Sequence, residues 1–175
     1  MKHAARRAWH HLAPTVLTTL VLAYFFAWIE IHIEGSAGWA SGLPTWRIEH
    51  HWLLDIFWGS RPMTGYHAWV FPFIFLFFHF PLAFFRRWSW RLEMRALACV
   101  ALFWLVEDFL WFVLNPAWGV ARFAPEFIPW HKHWIAFAPL EYWLFAPASV
   151  WLLWRSLPQS CARRAARKGL PTSSK

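Results

Sequence analysis

Four stretches of the chain are apolar almost without a break, at about 12–33, 67–85, 96–114 and 134–154, and the polar residues gather in blocks between them. None alternates polar with apolar, as a strand with one face in lipid and one in a lumen must. Each is close to the ~20 residues that a helix needs to cross about 30 Å of hydrocarbon. Because lipid offers the backbone no hydrogen bonds, lone strands cannot cross it and helices can. The pattern therefore predicts an all-α integral membrane protein, a four-transmembrane-helix bundle filling one domain over 1–155. A basic tail over 156–175 follows and reads as disordered and lipid-touching. Pro14 suits a first helical turn, Gly35 a helix stop, and Asn115–Pro116 another stop. The basic start resembles a signal peptide, but its apolar run is too long and lacks a small-residue cleavage site, so a retained first helix is expected.

Composition sharpens this picture. Of 175 residues, 59% are hydrophobic and only 15% charged, against about 25% charged in soluble domains. Thirteen of the 17 lysines and arginines fall before the first stretch, between the second and third, or after the fourth. By the positive-inside rule both termini are then cytoplasmic, in a plasma (inner) membrane. The net charge of +8 lies beside apolar runs, which favours membrane lipids over nucleic acid as the partner. The outer segments 35–66 and 115–133 mix Gly and Pro with Trp, and so read as ordered caps, with a short helix near His51 to Trp58. Two cysteines without zinc spacing, and a His79 unmatched at its depth, give no structural zinc or haem signal, and no nucleotide motif occurs.

The acids are distributed the opposite way. Only Glu93 is cytoplasmic, while the other eight belong to the outer half. The stretch "LVEDFLWFVLNP" sets Glu107 and Asp108 in the third span, where a charge costs about 2.5–3.5 kcal/mol to insert. Uncompensated neighbours in low dielectric repel, so at least one of them should stay protonated. Glu107 and Glu141 each stand seven residues inside the outer end of a span, roughly 10 Å deep, and Glu30 and Glu34 share one face near the end of the first. Glu107, Asp108 and Glu141 are the catalytic candidates. With Glu30, Glu34, His131 and His133 they form a candidate ligand set for a divalent metal, Fe, Mn or Zn. Arg47, Arg61 and His67 are candidates for holding a substrate head group. No Glu-x-x-His pair or HxxxH box supports the metal reading as a motif.

The function expected first is a divalent-metal-dependent enzyme acting on a lipid or other hydrophobic substrate. One alternative is a metal-free isomerase or cyclase that uses a buried protonated acid among tryptophan faces. Another is a non-enzymatic binding, transport or assembly subunit, which would call for a homo-oligomer built on Ala138, Ala146, Ala148 and Ser149. Pro72 and Pro81, and Pro139 and Pro147, are expected to interrupt the second and fourth spans.

Overall fold

In the computed structural model, residues 2–57 and 61–157 are described; Trp58 and most of the expected tail, from residue 158, lie outside them. Five α-helices follow in chain order: α1 (Lys2–Glu34), α2 (Trp52–Phe57), α3 (Gly65–Phe84), α4 (Trp90–Leu114) and α5 (Leu140–Arg155). Three helical segments, Leu12–Glu34, Gly65–Phe84 and Trp90–Leu114, are long and apolar enough to cross a membrane. Polar side chains start two of the helices: Thr64 accepts from the His67 amide and Ser89 from the Leu92 amide, each satisfying an otherwise orphaned donor.

The pattern of expectations departs from the structure at three places. Pro14 lies inside α1 rather than in its first turn. The upstream segment "KHAARRAWHH" is rich in helix formers, so the loss of one backbone bond at Pro14 does not end the helix. The stretch 134–139, expected as the start of the fourth span, is instead a hairpin. Strands β3 (Trp134–Ile135) and β4 (Ala138–Pro139) pair antiparallel, with Trp134 opposite Pro139. Ala136 turns the chain at φ 53°. Pro139 therefore caps α5 from outside instead of kinking it, whereas Pro72, Pro81 and Pro147 do lie inside their helices. Lastly, the caps carry a second small hairpin, β1 (Arg47–Ile48) with β2 (Met63–Thr64), flanking α2. The all-helical expectation holds for the bundle and not for its caps.

Helix α4 is the centre of the bundle, with α1, α3 and α5 each packed on it. Cross-links fix the helix directions. At one end, Asn115 after α4 donates to the Gly35 carbonyl after α1 at 2.8 Å, so α1 and α4 run the same way. At the other end, His79 late in α3 meets Glu93 early in α4 at 3.1 Å, and Arg95 of α4 donates to Ser156 just past α5. Helices α3 and α5 thus run opposite to α4. Thr19, Ala23 and Ala27 recur every fourth residue and are buried. This small-residue stripe on α1 lets Phe26 pack on Phe103 and Trp104 of α4.

Candidate functional site

The shared ends of α1 and α4 and the starts of α3 and α5 meet beneath the caps. A cavity of about 370 Å³ opens there, within the usual size range of small-molecule sites. Its floor is one face of α4. Leu97, Val100, Ala101, Trp104 and Leu105 line it at helical spacing, followed by Asp108, Trp111 and Phe112. Phe71 of α3 and Phe145 of α5 add to its lining, as do Gly38, Trp39 and Trp130 from the caps. Gly38 is needed at its position, because a side chain there would run into the Trp130 ring.

Two polar groups of different character share the cavity. The first is a carboxyl pair. Glu30 of α1 and Glu107 of α4 are both buried and both line the cavity, and carboxyls that share a low-dielectric site repel unless one of them keeps its proton. Tyr66 donates to Glu30 Oε1 at 2.8 Å. Glu107 is 2% exposed, and its Oε1 meets no partner among the described residues.

The second group is a charged relay. Arg61, from the segment before β2, is ion-paired with Glu141 at the start of α5 and donates to the Trp130 carbonyl at 2.7 Å. Its guanidinium also lies 2.9 Å from His131 Nδ1 and stands over the Trp39 ring. His131 Nε2 faces Asp108 at 3.2 Å, and Tyr142 donates to the same Asp108 oxygen at 2.5 Å. Burial works against a charge on the His131 ring. The Asp108 carboxylate, helped by Glu141, outweighs both burial and the opposing Arg61, and holds this imidazole above its usual range.

The candidates named from sequence thus separate. Glu30, Glu34, Glu107, Asp108, Glu141, His131, Arg61 and His67 all line the cavity. His67 is stacked on Trp39 with ring centres 4.1 Å apart and bonded to Thr64. Glu34 accepts from the Ala40 amide at 2.5 Å, and Arg47 donates to the Ala40 carbonyl, so these two fasten the loop after α1. Arg47 and His133 do not line the cavity, and His133 is exposed. Among the described residues no group of three or more His, Cys, Asp or Glu side chains is arranged to hold a metal ion. The acids instead meet Tyr66, Tyr142, Arg61 and His131.

Sequence reading missed both tyrosines and Trp111, whose buried indole N–H has no partner among the described residues. A signal for the tyrosines existed. The chain has only three, and two of them stand at the starts of α3 and α5, beside the acids. Compared with protein families, curated proteins and solved structures, the chain matches none.

Proposed function

We propose that this protein is an integral membrane isomerase or cyclase that acts on a hydrophobic alkene by proton transfer. In this reading α5 is a fourth span, both termini are cytoplasmic, and the cavity lies in the outer half of the bundle. The single observation that carries the reading is the presence of two buried carboxyls, Glu30 and Glu107, in the lining of one aromatic cavity.

The chemistry balances without a co-reactant. The pair gives its proton to one alkene carbon, leaving a carbocation on the other. The faces of Trp104, Phe71 and Phe145 stabilise that cation. The carboxylate then takes a proton from a neighbouring carbon, which shifts the double bond or follows ring closure, and the pair is restored. Arg61, His131, Asp108 and Tyr142 hold the second half of the site rigid and keep its charges neutralised by one another.

A second reading keeps the divalent metal, and one observation favours it: Glu107 Oε1 and Glu141 Oε2 are buried oxygens without hydrogen-bond partners among the described residues. One experiment separates the two. Purified protein in nanodiscs is given farnesol, geranylgeraniol or squalene in deuterium oxide, and its metal content is measured alongside. The proposal expects a rearranged product with deuterium on carbon, a loss of at least about a hundredfold in Glu107→Gln, and activity that survives chelation. Near-stoichiometric Fe, Mn or Zn that disappears in an Asp108→Asn/Glu141→Gln variant, with no deuterium entering any product, would replace it with the metalloenzyme.

A further inference from the structure

The substrate's own chemistry is written in parts of the cavity that the proton transfer does not use. Trp111 is 4% exposed and its Nε1–H has no acceptor among the described residues. An unmet buried donor destabilises the fold, and a bound oxygen atom would satisfy it. Trp111 stands one helical turn outward of Glu107 on the same face of α4, about 6 Å further along the axis. On the other side of Glu107 the lining becomes wholly apolar as far as Leu97, a run of about 15 Å. Helices α3 and α5 each pack on α4, and Phe71 of α3 and Phe145 of α5 line the cavity with this strip of α4.

Charge decides what kind of oxygen fits. Five carboxyl groups line the cavity, against Arg61 and His131, and Arg61 is already paired with Glu141. A phosphate or carboxylate head would meet net repulsion, whereas a neutral oxygen needs only one donor. Resting on the acid reading above, the hydrocarbon must also be branched at its double bonds. A carboxylic acid is a weak proton donor and can protonate only alkenes that yield a tertiary cation.

We infer that the cavity takes an isoprenoid with a neutral oxygen, a hydroxyl or carbonyl, at one end. Trp111 donates to that oxygen, and the branched chain lies along α4 toward Leu97.

The test is equilibrium binding of radiolabelled farnesol to the full-length protein in nanodiscs, with farnesene and farnesyl diphosphate as competitors. Farnesol is expected to bind at least about tenfold more tightly than farnesene, and the diphosphate not to compete. Trp111→Phe should abolish the preference for farnesol over farnesene, and farnesene binding that persists reports that the variant is folded. Competition by the diphosphate on the wild-type protein, or an equal loss of both ligands in Trp111→Phe, would overturn the inference. Binding as expected with no deuterium uptake would leave this inference standing and remove the isomerase reading. Deuterium uptake without any preference for the alcohol would do the reverse.

Discussion

At the scale of single residues, the site's electrostatics converge on His131. Asp108 approaches from α4, Glu141 and Tyr142 from α5, and Arg61 from the cap. The carboxylates prevail, and the folded protein holds a proton on this ring more tightly than an unfolded chain would. The linkage therefore has a definite sign. The stabilisation is fully present below about pH 6.5, the ordinary histidine value, and is lost as pH rises through the higher folded value. Thermal unfolding in detergent should show a midpoint that falls from about pH 6.5 upward and then levels. In His131→Gln that segment should flatten, with a lower midpoint at acid pH. A midpoint that rises over the same range in the wild-type protein would show that Arg61 dominates the ring instead.

At the scale of elements, Asn115 shows how a helix end becomes a tertiary clamp. Its Nδ2 donates to the Gly35 carbonyl, and its Oδ1 accepts from the Ala117 amide at 3.0 Å. Gly35 itself adopts φ 64°, the left-handed conformation that ends α1. Since Asn115 is 3% exposed, Asn115→Ala should leave the Gly35 carbonyl unmet and cost about 1–3 kcal/mol. Denaturant unfolding of the purified variant checks this, and a loss below about 0.5 kcal/mol would mean that water replaces the clamp. Sequence alone predicted both stops, because Gly and Asn-Pro act through local backbone geometry. It also marked the cores of α1, α3 and α4, since unbroken apolar runs admit little else in lipid. The β3–β4 hairpin escaped it, because Trp134, Ile135, Phe137 and Ala138 are as apolar as the helix that follows. Only pairing across Ala136 distinguishes them. The acids were visible for an energetic reason, the cost of burying charge. Their partners were not: Arg61 lies 80 positions from Glu141, and one indole N–H among seventeen tryptophans carries no mark of being unpaired.

At the scale of the whole molecule, the open matter is how α5, with 16 residues, could serve as a span. Its helical rise covers about 24 Å, short of the ~30 Å of hydrocarbon. The β3–β4 hairpin continues the apolar surface beyond the start of the helix, with Ile135 and Phe137 both exposed. Its two residues per strand add about 7 Å, which brings the apolar length to that of a bilayer. The backbone at that level is acceptable in lipid because the hairpin bonds to itself and the Leu140 amide donates to the His133 carbonyl at 2.8 Å. If α5 crosses as proposed, Glu49, in the cap between α1 and α3, and the sequence after α5 should be reached from opposite sides of the membrane. Single cysteines introduced as Glu49→Cys and Thr172→Cys, in a background with Cys99→Ala and Cys161→Ser, give the test. A membrane-impermeant maleimide should label the first on intact cells and the second only after permeabilisation. Labelling of both on intact cells would mean that α5 turns back without crossing, and the cavity would then lack the membrane on one wall.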